Sequence, residues 1–78
     1  MVTLYELDGC PYCETVADRL EELDIEYESV WVDALHSDRD EVKRVSGQRG
    51  VPVIIDDDYG VTMPESEHIL EYLEQTYA

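Results

Sequence analysis

Seventy-eight residues carry 20 acidic and 5 basic side chains, a formal net charge of −15 at pH 7. A chain this short makes one domain, and a surface this negative repels phosphate backbones and anionic lipid, which excludes nucleic-acid or membrane binding through a basic face. No apolar run approaches the roughly 20 residues that span a bilayer, and a strand-like segment begins at Val2, so the expectation is a cytoplasmic domain without a signal peptide.

Val2 to Leu7 alternates and carries Val, Leu and Tyr, which predicts a strand closed by the turn signal Asp8-Gly9. After Cys10-Pro11-Tyr12-Cys13, the residues Cys13, Val16, Ala17, Leu20 and Leu23 recur on one helical face, with Glu14, Asp18, Arg19, Glu21 and Glu22 outward. Glu26 to Val32 predicts a second strand. Ser37 and Asp38 are suited to cap a short helix through Val42 and Val45, which Gly47 stops. Val53 to Ile55 reads as a strand, returned by the acidic turn Asp56 to Gly60 into Val61 to Met63, and Pro64-Glu65-Ser66 opens a last helix on Ile69, Leu70, Leu73 and Tyr77.

The expected order is therefore βαβαββα, an α/β fold in a single domain spanning residues 1–78. A strand-helix-strand unit needs a parallel pair with a right-handed crossover, and the later hairpin adds an antiparallel pair, so the sheet is mixed with helices on both faces. This is the minimal thioredoxin-like arrangement. Hydrophobic residues make up 44% of the chain and fall into periodic blocks, which argues against disorder despite the charge. The carboxylates are dispersed along the whole length and Lys43 is the only lysine. That composition resembles proteins of salt-accumulating halophiles, in which concentrated salt screens the repulsion.

Two cysteines two residues apart have three readings. A structural disulfide closing a four-residue loop gains only about 2 kcal/mol in the chain-entropy account, and a reducing cytosol would keep it open. Half of a zinc site would need two more soft ligands, and His36 and His68 lie far outside finger spacing. The redox reading uses every feature. Cys10 sits where the unpaired N–H groups and positive end of a helix favour thiolate, and Pro11 suits the first turn. Cys13, on the inward face, is placed to resolve a mixed disulfide formed on Cys10.

Cys10-Pro11-Tyr12-Cys13 after a first strand, with Val51-Pro52 ahead of a later one, resembles glutaredoxin over essentially the whole chain. The resemblance implies a four-stranded mixed sheet flanked by three helices. It also implies thiol-disulfide oxidoreductase activity, with Cys10 as nucleophile, Cys13 as resolving thiol, and Pro11 and Tyr12 completing the motif. It implies a cis Val51-Pro52 bond beside the cysteines, with the Val51 backbone pairing with the cysteine of a bound γ-glutamyl thiol. Met63-Pro64-Glu65-Ser66 resembles instead the Glu-Ser turn of the glutathione transferase N-terminal domain. A helix start with a Ser66 hydroxyl suits the γ-glutamyl carboxylate, and Glu65 suits its ammonium; the plain alternative is a simple N-cap made by Ser66 or Pro64.

The departures from the family bear on the ligand. Leu7 stands where many glutaredoxins carry a Lys near the glycine carboxylate of glutathione, and Gly50 replaces a frequent Thr, leaving Gln48 and Arg49 as candidates for that carboxylate. Thiol-ligand binding is thus expected from Tyr12, Val51, Pro52, Glu65 and Ser66, with Gln48 and Arg49 in reserve. The co-substrate is glutathione or γ-glutamylcysteine, and no cofactor or metal is bound permanently. Partners are the small thiol and disulfide-containing proteins, met by a monomer. His36 and His68 read as surface histidines, Trp31 as core or near-core packing, and Asp56-Asp57-Asp58 as a solvated hairpin without the spaced ligands of a calcium loop. The competing functions are a thioredoxin-type hydrogen donor reduced by a flavoprotein, a non-catalytic binding module, and an iron-sulfur carrier.

Overall fold

The computed structural model describes the backbone of residues 1–78 and every side chain but that of His36; the reading of His36 as a surface histidine lies outside the described residues. The elements are β1 (Val2–Glu6), α1 (Pro11–Glu22), β2 (Tyr27–Trp31), a 3-10 turn (His36–Asp38), α2 (Asp40–Ser46), β3 (Val53–Asp56), β4 (Val61–Pro64) and α3 (Ser66–Tyr77). The sheet order is β2-β1-β3-β4, with β1 parallel to β2 and antiparallel to β3, and β3 antiparallel to β4. This is the expected thioredoxin-like α/β fold.

Alternation along the central strands builds a core on each face of the sheet. Val2, Leu4 and Ile54 point to one face and pack with Val16 and Leu20 of α1 and Ile69 and Leu73 of α3. Tyr5 and Val53, opposite each other in the β1–β3 register, point to the other face and pack with Val42 of α2. The first core is the larger because two amphipathic helices cover it, and each fully buried Leu or Ile there contributes about 1.5–3 kcal/mol.

Four sequence expectations need correction. Ser37 and Asp38 do not cap α2: they lie in the 3-10 turn, and α2 starts with Arg39 at its N-cap, without a side-chain cap. The reason is the burial of Arg39, 5% exposed, whose guanidinium donates to the carbonyls of Asp33 (2.6 Å), Ala34 (3.3 Å) and Arg49 (3.0 Å). Three backbone acceptors, two before α2 and one after it, hold Arg39 in place, and the helix begins directly after Arg39. Trp31 is 61% exposed, because it ends the edge strand β2. Asp56 is not solvated. It is fully buried, accepts the Tyr72 hydroxyl at 2.7 Å, the Tyr77 hydroxyl and the Asp58 N–H at 3.1 Å, and thereby ties β3 to α3. Pro64 does not open α3 but ends β4 opposite Val53, on an edge strand where a missing N–H is tolerated. Gly47 stops α2 as expected, at φ 82° with its N–H on the Lys43 carbonyl at 2.8 Å. Among the described residues no helix is long and apolar enough to cross a membrane.

Candidate functional site

The turn after β1 delivers Cys10 to the start of α1. Gly9 takes φ 79°, the left-handed conformation a side chain would resist, and the Cys10 N–H closes the turn on the Leu7 carbonyl at 3.2 Å. Cys10 is itself the N-cap of α1, with extended φ −87° and ψ 112°, and its Sγ accepts the Cys13 N–H at 3.4 Å. Pro11 follows at the first helical position, where no N–H is needed, and its carbonyl accepts the Thr15 hydroxyl at 2.9 Å. Sulfur thus occupies the place a Ser or Asp oxygen usually fills, beside the unpaired N–H groups of a 12-residue helix.

The two thiols are not joined and are unequal. Cys10 is half-buried, Cys13 wholly buried. Burial, with a smaller contribution from the hydrogen bond to Cys10, pushes the Cys13 thiol up to about 12, so it stays protonated at neutral pH. One cysteine is half-buried, its sulfur accepting the Cys13 N–H; the other is a buried neutral thiol one turn further on. That asymmetry is what a nucleophile and a resolving partner need. Tyr12 between them is 67% exposed, available to a ligand and not to the core.

Register gathers the other sequence-nominated residues at the same end of the sheet. Tyr5 of β1, Val53 of β3 and Pro64 of β4 lie in one row across the strands. Cys10 follows β1, Val51-Pro52 precedes β3 and Glu65-Ser66 follows β4, so all three segments leave that row at one edge. Val51-Pro52 is cis, Pro52 buried and Val51 half-buried. Glu65 is the N-cap of α3 at φ 72°, with no side-chain cap; its carboxylate lies 3.5 Å from His68 Nδ1. Ser66 is therefore the first residue of α3 and not its cap, half-buried within the first turn. Gln48 and Arg49 are held in the loop before β3. Ser46 Oγ donates to the Gln48 carbonyl at 2.9 Å, and the Arg49 guanidinium pairs with Asp40 at 2.9 Å. Asp40 thus competes for the cation that a ligand carboxylate would use.

Sequence reasoning missed two features. Beside the cysteine turn, Asp8, Trp31 and Val32 line a hollow of about 350 Å³; the exposed end of an edge strand was its only signal. At the end of β1, Glu6 is 4% exposed, its carboxylate accepting the Ser29 hydroxyl at 2.5 Å. Its signal was the alternation Val2, Leu4, Glu6, which sends all three inward. A cavity of about 550 Å³ between α1 and α3 is lined by groups such as Thr15, Asp18, Leu70 and the Arg19–Glu74 ion pair, and neither cysteine lines it.

The family profile described as glutathione S-transferase, N-terminal domain, matches residues 4–78. Glutathione transferase E6 of Drosophila melanogaster is 34% identical and superposes with a TM-score of 0.88 over 100% of this chain and 36% of that one. A glutathione transferase of Phanerochaete chrysosporium, solved in complex with oxidized glutathione, is 33% identical, with a TM-score of 0.88 over 97% of this chain and 36% of that one. A glutathione S-transferase of the Antarctic clam Laternula elliptica is 29% identical, with a TM-score of 0.85 over 97% and 35% of the respective chains. No curated protein matches the chain. It spans about a third of the length of these transferases. The match over nearly every residue, on the expected thioredoxin-like fold, establishes that the chain belongs to the glutathione S-transferase N-terminal domain family.

Proposed function

We propose that this domain is a thiol-disulfide oxidoreductase of the glutaredoxin type, working with a small γ-glutamyl thiol. The observation that carries the reading is the hydrogen bond from the Cys13 N–H to the Cys10 sulfur at a helix start, with Cys13 buried behind it. Cys10 thiolate attacks a disulfide sulfur, the displaced thiolate leaves, and a mixed disulfide remains on Cys10. Cys13 then attacks Cys10, releasing the second thiol, and two small thiols reduce the resulting disulfide. Tyr12, the Val51 backbone, Pro52, Glu65 and Ser66 line the thiol groove, and Gln48 and Arg49 form its basic side. The domain holds no cofactor permanently and works as a cytoplasmic monomer on disulfide-containing proteins. The relative solved with oxidized glutathione supports a γ-glutamyl ligand.

The family membership favours a second reading, conjugation of glutathione to an electrophile, in which the groove activates the thiol of the ligand and Cys10 is not consumed. One pair of assays separates the two. Reduction of the mixed disulfide of 2-mercaptoethanol and glutathione, driven by glutathione or by γ-glutamylcysteine, is expected to exceed background; conjugation to 1-chloro-2,4-dinitrobenzene is not. Conjugation without disulfide reduction would overturn the oxidoreductase reading. Because Asp40 engages Arg49 and Leu7 offers no charge, γ-glutamylcysteine is expected to serve at least as well as glutathione.

A further inference from the structure

Beside the cysteine turn lies the hollow of about 350 Å³ lined by Asp8, Trp31 and Val32, and the exchange reaction as described leaves it unused. The turn itself places Asp8, which lies between Leu7 and Cys10, two residues tied together by the Cys10 N–H on the Leu7 carbonyl at 3.2 Å. Register places Trp31. It pairs with Glu6 across β1 and β2, so it stands on the face of the sheet that carries α1, the helix that Cys10 caps. The Val32 N–H donates to the Glu6 carbonyl at 2.9 Å and keeps the chain against β1 one residue beyond that pair.

Two unlike groups meet in this hollow. Trp31 is the chain's only tryptophan, and it is exposed although indole is among the largest apolar groups a core can use. Asp8 is exposed as well, and among the described residues its carboxylate has no hydrogen-bond or ion-pair partner. The arginines are engaged elsewhere: Arg19, Arg44 and Arg49 pair with other acids, and Arg39 donates to backbone carbonyls. An indole face attracts a cation through its π electrons, and a carboxylate attracts it through charge. A guanidinium satisfies both, because it is planar enough to stack on the ring and forked enough to bond two carboxylate oxygens. An apolar side chain would instead strip water from the carboxylate and replace it with nothing.

We propose that this hollow is a specificity site for an arginine side chain close to the reacting cysteine of a protein substrate, an inference that deepens the oxidoreductase reading above and rests on it. The guanidinium stacks on Trp31 and pairs with Asp8, and the substrate's sulfur is thereby held near Cys10, two residues further along the same turn. The sheet order β2-β1-β3-β4 puts Val51-Pro52 and Glu65-Ser66 on one side of the end of β1 and Trp31 on the other. The small thiol and the protein segment therefore approach Cys10 from opposite sides.

The test uses three acetylated, amidated heptapeptides whose central cysteine carries 2-nitro-5-thiobenzoate in disulfide linkage, with Arg, Ala or Glu at the second residue on either side of it. Cys10 thiolate attacks the peptide sulfur, the S–S bond breaks, and the coloured thiolate leaves with its electron pair, so stopped flow reads the second-order rate. At about 0.15 M ionic strength the Debye length is about 8 Å. Asp57 then provides the control: it follows Asp56, which pairs with Val2 at the opposite end of β1, roughly 13 Å from Glu6 at about 3.3 Å per residue. The unmodified protein is expected to favour the Arg over the Ala peptide about fivefold, and the Glu peptide least. Asp8→Asn and Trp31→Ala are each expected to lower the Arg-to-Ala ratio about threefold, whereas Asp57→Asn, which removes the same charge, leaves it unchanged. Because the ratio is taken within one protein, a change in the reactivity of Cys10 cancels. An Arg-to-Ala ratio near one in the unmodified protein overturns the proposal and depends on no variant folding. A ratio lowered equally by Asp8→Asn and Asp57→Asn also overturns it, by showing that the net charge of −15 alone selects the peptide. So does a ratio that survives Trp31→Ala. If no peptide reacts faster than it does with free cysteine, the oxidoreductase reading itself falls, and this inference with it.

Discussion

At the N-cap of α1, Cys10 keeps part of its surface open and accepts the Cys13 N–H, whereas Cys13 is buried and its thiol is pushed up to about 12. The contrast was legible in the sequence because both causes are local: capping needs only the start of the helix, and burial follows from the 3.6-residue period. Glu65 and Ser66 were legible as a helix start, but their exact places were not, since Glu65 at φ 72° takes the cap without a side-chain bond and leaves Ser66 inside the first turn. A first-turn residue carries an N–H without an intrahelical partner, and in the γ-glutamyl-thiol reading proposed above the Ser66 hydroxyl joins that N–H at the ligand carboxylate. Ser66→Ala is therefore expected to weaken a γ-glutamyl thiol by about 1 kcal/mol or more, raising its KM several-fold, through loss of a hydrogen bond to a carboxylate. Steady-state kinetics on a protein of unchanged helix content checks this, and an unchanged KM would leave Ser66 a structural residue only.

Among the elements, β3 and α3 are joined by the most polar contact of the core, with the Asp56 carboxylate accepting from Tyr72, Tyr77 and the Asp58 N–H. Burial alone would raise the Asp56 carboxyl; the hydrogen bonds from Tyr77, Tyr72 and Asp58, with the N-terminal charge, outweigh it and hold it below its ordinary value. Burial and the bond to Asp56 push Tyr72 up to about 12, and the same causes raise Tyr77. The signs then follow. Asp56, lowered on folding, contributes stability above the ordinary carboxylate range that is lost as pH falls through its folded value. Tyr72, raised on folding, contributes stability complete below about pH 10 and lost as pH rises through about 12, and Tyr77 acts in the same direction. Asp56→Asn is expected to cost about 1–3 kcal/mol at neutral pH and to flatten the acid limb, read by urea unfolding at a series of pH values. An acid limb unaltered by the substitution would show that Asp56 is not its source. The order of elements was readable from periodicity and turn residues. This contact was not, because its acid sits in a run of three aspartates that composition marks as solvent-facing, and only the pairing of β3 with β1 reveals which of the three turns inward. Arg39 likewise set the start of α2 through backbone carbonyls that no local pattern announces.

For the whole molecule, 20 carboxylates face 5 basic groups, and of these Arg39 is spent on backbone carbonyls while Arg19, Arg44 and Arg49 pair with neighbouring acids. Most carboxylates therefore feel mainly each other, as do Glu67 and Glu71 one turn apart on α3. At 1 M salt the Debye length falls to about 3 Å, so repulsion between non-adjacent acids is screened and the melting temperature is expected to climb as potassium chloride rises toward about 3 M. A flat melting temperature would count against the salt-adapted reading of the composition. The oxidoreductase claim is tested most directly by turnover of the 2-mercaptoethanol–glutathione mixed disulfide in Cys10→Ser and Cys13→Ser proteins of verified fold. The half-buried cysteine alone should be indispensable there: Cys10→Ser abolishes turnover, and Cys13→Ser retains most of it, because a second small thiol can replace the resolving step. Equal loss in both variants, or activity surviving Cys10→Ser, would contradict the assignment of Cys10 as the nucleophile.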